Sequence, residues 1–272
     1  MTVFDWRHFL KGAYTIWYRD VLGLVRDRAR LFGSLIGNIV MLVVLGFGLG
    51  SAIGRIGASA GLSGVPGVPF IQFSFATILC TTAMLTALQS TMSIVWDREF
   101  GLMRKVLVAP VSRTSVAFGK VAGGVTQATI TAVMLMIAVP LIALPVGLLQ
   151  MVEMLLLVIM VSAVVTALGI LVAARQKSTQ GFQVVSIFVI MPLTLLSFGT
   201  MLPVSGEAGR VLRLLSQFNP VAYGIDAMRQ IALGSQLPSS YALHPPAIDA
   251  LILVAFFVAF LIPGVLLFRK QD

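Results

Sequence analysis

The sequence predicts an all-α membrane protein with six transmembrane helices. To these it adds an N-terminal amphipathic interfacial helix, a cytoplasmic helix between spans two and three, and short outer re-entrant helices between spans five and six. Three observations carry this fold class. Of 272 residues, 58% are hydrophobic and 11% charged, whereas a soluble domain carries about 25% charged residues. Several apolar runs reach about 20 residues, enough to cross hydrocarbon as a helix. The Lys and Arg residues are segregated into alternate connecting segments, as the topology of a multi-pass protein requires. The whole chain, 1–272, reads as one transmembrane domain, with 1–30, 97–118 and 203–246 as its parts outside the spans. A single cysteine, Cys80, excludes an intrachain disulfide framework or a thiolate metal cluster within one chain.

The first 30 residues hold six Lys/Arg and three Asp and no continuous apolar core, so they are not a cleavable signal. Trp6, Phe9, Leu10, Ala13, Trp17, Val21 and Leu24 instead recur at spacings of three and four, which predicts a helix with one apolar stripe. Arg7, Lys11, Arg19 and Arg26 occupy the opposite surface. Such a helix is expected in the membrane interface, with cations toward lipid headgroups and aromatics dipping inward.

The first span is expected over 31–53. It carries Gly33, Gly37, Gly46, Gly50 and Gly54, whose four-residue steps allow close helix approach in lipid, either between copies or within the chain. The second span covers 70–96. The third, 121–144, and fourth, 148–174, form a hairpin with a short connector at 145–147. The fifth runs over 181–202, with Pro192 as a kink, and the sixth over 248–268.

Fifteen of the 19 Lys and Arg lie in the N-terminal segment, the 98–120 loop, the Arg175/Lys177 turn and the Arg269/Lys270 end. Arg55, Arg210, Arg213 and Arg229 lie on the other side. This bias predicts both termini in the cytoplasm. The net charge of +9 is therefore mostly topological, and no nucleic-acid partner is expected.

Two polar stretches are too structured to be plain connectors. In 97–113, Phe100, Met103, Val106 and Leu107 share one helical face while Arg98, Arg104 and Lys105 lie largely elsewhere, and Pro110 ends the helix. A short helix tied to two spans is either a mechanical lever for a partner or an anchor for the loop. In 203–246, Asn219-Pro220 opens a helix that Gly234 closes, with Asp226 and Arg229 spaced to pair on one face. That pair reads as structural rather than substrate-binding.

The run Arg98-Glu99-Phe100-Gly101 through Pro110-Val111-Ser112-Arg113 to Gly119-Lys120 resembles the segment between spans two and three of the ABC-2 family of ABC-transporter membrane subunits. Asn219-Pro220-x-x-Tyr223-x-x-Asp226-x-x-Arg229 resembles that family's outer element before the last span. The likeness covers nearly the whole chain. The family includes permeases for drug resistance, lipo-oligosaccharide and polysaccharide export. The resemblance implies a permease of the bacterial plasma membrane that pairs with a second copy and with two ATP-binding cassette subunits. Arg98, Glu99, Phe100, Gly101, Arg104, Lys105, Pro110 and Arg113 would couple it to the ATPase, and Trp6, Arg7, Lys11, Trp17 and Arg19 would complete the docking surface. Asn219, Pro220, Tyr223, Asp226 and Arg229 would form the outer element.

The chain has no phosphate-binding loop. Gly119-Lys120 is followed by Val121 and lacks the upstream glycine. ATP and Mg are therefore expected on a separate subunit, and the chain itself is expected to bind no cofactor or metal and to catalyse no reaction.

Other patterns resolve to plainer readings. Gly57-x-Ser59-x-Gly61 fits a nucleophile elbow, but it sits in a Gly/Ser-rich outer loop away from both His8 and His244. Glu153 is an acidic residue near the start of span four and is a candidate pathway residue. A secondary transporter would need intramembrane charges or broken helices in matching repeats, and neither pattern is evident.

Overall fold

The computed structural model describes residues 6–44, 48, 69–100, 113–137, 140–142, 144, 146–199, 211, 214–237 and 242–269. Among them the regular structure is helical: α1 (Trp6–Arg26), α2 (Arg28–Val43), α3 (Phe70–Ser90), α4 (Met92–Glu99) and α5 (Arg113–Met136), then α6 (Leu148–Arg175), α7 (Thr179–Gly199), α8 (Pro220–Leu233) and α9 (Pro246–Arg269). Four helical stretches among the described residues are long and apolar enough to cross a membrane: Phe70–Glu99, Leu148–Arg175, Thr179–Ser197 and Pro246–Leu267. They coincide with predicted spans two, four, five and six. The described part of the first span stops at α2 and the residues just after it; Gly46, Gly50, Gly54 and the Gly57–Gly61 pattern lie outside the described residues.

Span boundaries differ from expectation in two places. The third helix starts at Arg113 and ends at Met136, eight residues short of the predicted end. A short 3-10 turn, Pro140–Ile142, follows, since a proline cannot continue the hydrogen-bond ladder. The second span is broken at Thr91, between α3 and α4. Ser90 and Thr91 donate their hydroxyls to the carbonyls of Ala87 (2.7 Å) and Leu88 (2.6 Å). Such back-bonding bends helices.

Two hydrophobic cores stack along the bundle. One is built from α3, α5, α6, α8 and α9, with Phe75, Ile78, Leu79, Met84, Val158, Val161, Ile225 and Met228 fully buried. The other gathers Ile16 of α1, Ile94 and Val95 of α4, Val116 and Val121 of α5, Ile170 of α6 and Leu261 of α9. Between them lies a seam of small and polar residues: Ser90, Thr91, Gly124, Thr166 and Gly169. A β-carbon at Gly124 would fall 2.6 Å from the Thr166 hydroxyl, and one at Gly169 would fall 2.5 Å from that of Thr91. The Thr166 hydroxyl, like those of Ser90 and Thr91, bonds within its own helix.

The amphipathic α1 is formed as its stripe predicts, but α5 rather than lipid covers part of that stripe. Gly119 makes the approach possible: a β-carbon there would stand 2.7 Å from the Ala13 carbonyl oxygen and 2.9 Å from Ile16. Trp17 donates its indole N–H to Thr126 at 2.9 Å, and Leu24 is buried. Lys11, Tyr14 and Tyr18 stay on the exposed flank. Conversely Gly33 and Gly37 of α2, predicted to allow close packing, have no neighbour within 4 Å of an added β-carbon. At these two described positions that spacing makes no close contact within the chain.

Candidate functional site

At the end of the bundle expected to face the cytoplasm, three helices meet through charge. Lys120 of α5 is 3% exposed. Its ammonium lies 3.0 Å from Asp20 of α1 and 3.7 Å from Asp97 of α4, and donates to Ser93 at 2.7 Å. Arg19 of α1 donates to Asp97 at 2.5 Å. A buried cation needs such partners, because an unpaired charge in low dielectric costs several kcal/mol, roughly.

Arg98 and Glu99, the last two residues of α4, act on helix termini. Arg98 donates to the carbonyls of Ala173 (3.4 Å), Ala174 (3.4 Å) and Gln176 (2.6 Å) at the end of α6. The Ala173 carbonyl also accepts the Gln176 N–H at 3.2 Å, and carbonyls at a helix C-terminus carry partial negative charge. Glu99 accepts the Thr179 backbone N–H at 2.8 Å and also the Thr179 hydroxyl, capping the start of α7. One dipeptide thus binds both sides of the α6–α7 turn. Phe100 follows as an exposed side chain.

Gly101, Arg104, Lys105 and Pro110 lie outside the described residues, as do the side chains of Arg113, Trp6 and His8. Of the expected docking residues on α1, Arg7 and Lys11 are exposed, Trp17 is half-buried against α5, and Arg19 is spent largely on Asp97 and Asp20. Glu153 is exposed near the start of α6.

At the other end, the Asn219-to-Arg229 element is buried within the bundle. Asn219 caps α8 by accepting the Val221 N–H at 3.0 Å, and its amide donates to the Leu193 carbonyl (2.9 Å) and Ser197 hydroxyl (3.0 Å) of α7. Pro220 occupies the first turn, where its missing N–H costs nothing. Tyr223 donates to the Gln217 carbonyl at 2.9 Å. Gly224 lets α8 press on α6: a β-carbon there would meet Val161 at 2.3 Å.

Asp226 and Arg229, expected to pair on one face, attract each other across α8 and also make hydrogen bonds to other elements. Asp226 accepts from the backbone of Leu243 and from Gln230. Arg229 donates to Thr77 at 2.7 Å and lies 4.3 Å from the centre of the Phe73 ring, a cation–π contact. Their printed hydrogen bonds all run to residues of this chain.

Asp20, Asp97 and Asp249 were not singled out by the sequence. Asp20 stands on the apolar stripe of α1, three residues after Trp17 and four before Leu24; an acid in that place demands a buried cation. Asp249 is wholly buried in the first turn of α9, 3.6 Å from His244 Nδ1.

The ABC-2 type transporter family model matches residues 12–233. Nodulation protein J of Rhizobium meliloti (strain 1021) is 27% identical over 253 residues, covering 90% of this chain and 89% of that protein. Nodulation protein J of Rhizobium leguminosarum bv. trifolii is 25% identical over 260 residues, 94% and 91% of the two chains. A shorter match, 42% identical over 50 residues, joins 18% of this chain to 17% of the putative transport permease ycf38 of Cyanophora paradoxa. The long matches include both ends of α4 and all of α8.

Proposed function

Since the chain belongs to the ABC-2 type transporter family, and is thus a multi-pass membrane transport subunit, we propose that it is the permease half of an ATP-driven exporter in a bacterial inner membrane. It moves an amphipathic, drug-like or lipid-linked molecule outward. Two copies span the membrane six times each, with both termini cytoplasmic, and two separate ATP-binding subunits supply ATP and Mg. The segment 97–118 is the lever those subunits push.

The observation that carries this reading is the bonding at the end of α4. Arg98 and Glu99 hold the α6–α7 turn, while Asp97 joins α1 and α5 through Arg19 and Lys120. A push on the segment that follows Glu99 therefore reaches α1, α5, α6 and α7 together. The chain does no chemistry; it has to present cargo with different affinities in two conformations, and the partner's ATP cycle selects between them.

Co-purification from the native membrane tests the partnership: an ATP-binding subunit is expected with the permease. In the reconstituted pair, Arg104→Ala is expected to lower cargo-stimulated ATPase activity at least fivefold with membrane insertion intact. Uphill flux by the permease alone, without nucleotide, would overturn the reading in favour of an ion-driven carrier. Unchanged activity in Ser59→Ala is expected, since the Gly57–Gly61 pattern is read as a linker.

A further inference from the structure

The buried acids of α8 and α9 form a second cluster, at the end of the bundle expected to face outward. Asp226 and Asp249 are 3% and 0% exposed, and their carboxyl groups stand within hydrogen-bonding reach of each other. Their surroundings differ. Asp226 Oδ2 accepts the Leu243 N–H at 2.8 Å, the Gln230 amide at 2.9 Å and the His244 N–H at 3.4 Å, and Arg229 of the same helix adds attraction. Asp249 has no donor on either oxygen. His244 Nδ1, buried and itself without a hydrogen-bond partner, lies 3.6 Å from Asp249 Oδ1.

The charged and titratable groups of the packed elements leave this gap unfilled. Arg229 is turned to Thr77 and the Phe73 ring of α3, and Tyr223 gives its hydroxyl proton to the Gln217 carbonyl. α3 brings Cys80, whose thiol donates to the Val221 carbonyl. Glu153, the acid of α6 at this end, is exposed. α7 carries no titratable residue, and Lys120 of α5 belongs to the opposite end. Two carboxylates in contact with nothing between them would leave a buried charge unpaired, which is costly. A proton on one of them removes that charge and supplies the missing donor.

We propose that Asp226 and Asp249 bind one exchangeable proton as a pair, and that His244 carries it to and from the outer solution. Asp249 holds the proton and donates it to Asp226, which ties the first turn of α9 to α8. Release runs through the imidazole. The Asp249 O–H bond breaks, His244 Nδ1 takes the proton, and the ring's Nε2–H gives one to water. His244 is placed for this, since 38% of its side chain is exposed while Nδ1 is buried, and its ring stacks on Tyr223 at 6.0 Å. A small rotation of the ring brings the 3.6 Å gap to hydrogen-bond length. Loss of the proton puts two like charges into the α8–α9 joint, whose connector Asp226 and Gln230 hold at residues 243 and 244. The joint is tight when outer protons are plentiful and loosens when they are scarce.

Infrared spectra of the full chain in phosphatidylcholine nanodiscs at neutral pH test the pair, because a protonated carboxyl has a C=O band apart from that of a carboxylate. No ATP-binding subunit takes part. A band that shifts in heavy water is expected in the wild type and is isolated by difference against Asp249→Asn. It should be missing from Asp226→Asn as well, because in either variant the new amide supplies the donor and the remaining acid ionises. A wild type without the band overturns the proposal, and so does a band that survives in either variant. The rate of the shift on switching to heavy water reads the route: His244→Phe is expected to slow it about tenfold, and an unchanged rate removes the histidine's part. Where the band bleaches on the alkaline side, hydrogen exchange at residues 243–249, corrected for its intrinsic rate, is expected to quicken in the wild type and not in Asp249→Asn. Equal protection in the two overturns the coupling of the proton to the joint.

Discussion

Lys120 sits between two carboxylates with 3% of its side chain exposed. A buried ion pair is weak evidence of net stability, because desolvation offsets much of the attraction. Removing one partner is a different matter and costs about 3–5 kcal/mol, since the remaining charges stay buried. Lys120→Met is therefore expected to lower the unfolding temperature in detergent markedly, and Asp20→Asn in the same background to recover part of the loss. Arg19→Ala should cost less, because Arg19 is 45% exposed and exposed pairs contribute only about 0–1 kcal/mol. The charge pattern placed Lys120, Arg98 and Glu99 in one segment, and there the sequence was readable. Their partners were not, because Asp20, Gln176 and Thr179 lie tens of residues away and two of the bonds go to backbone atoms, which carry no side-chain signature.

Helices were more legible than their neighbours. The three-and-four spacing from Phe9 to Leu24 was enough to predict α1, and Asn219-Pro220 with Gly234 marked both ends of α8, where Gly234 does take a left-handed φ of 50°. Periodicity says that a face is covered, not by what, so the contact of α1 with α5 came only with the structure. The break at Thr91 was also hidden, since a serine-threonine pair in an apolar run reads equally well as sparse polarity. The α1–α5 contact depends on Gly119. Gly119→Leu is expected to force the helices apart, because the added atoms meet a backbone carbonyl that cannot rotate away. Hydrogen exchange should then quicken across residues 6–26 while α6 remains protected. In α8, Asn219→Ala should cost about 1 kcal/mol for the lost cap, with a further loss from the Leu193 and Ser197 bonds.

At the scale of the molecule, the family likeness and the apolar composition fixed the class, and four spans stand clear on length and apolarity. The helix from Arg113 to Met136 does not stand out in that way, because Gly123, Gly124, Thr126, Gln127, Thr129 and Thr131 dilute its apolar character. Of these, Gly123, Gly124 and Thr126 serve contacts with α1, α3 and α6 inside the bundle. Arg98→Ala should free the α6–α7 turn: faster exchange at residues 173–181 is expected with the unfolding temperature changed little, and a large global loss would show that the arginine holds up the core instead.

The layer of Ser90, Thr91, Gly124, Thr166 and Gly169 lies where α3, α5 and α6 pass from one hydrophobic core to the other. Its hydroxyls are satisfied by carbonyls of their own helices. A small shift of one helix along its neighbour there exchanges van der Waals contacts without severing those bonds, and so avoids the heavy penalty that unmade polar contacts incur in hydrocarbon. Neighbouring helices can thereby shift and return at low friction.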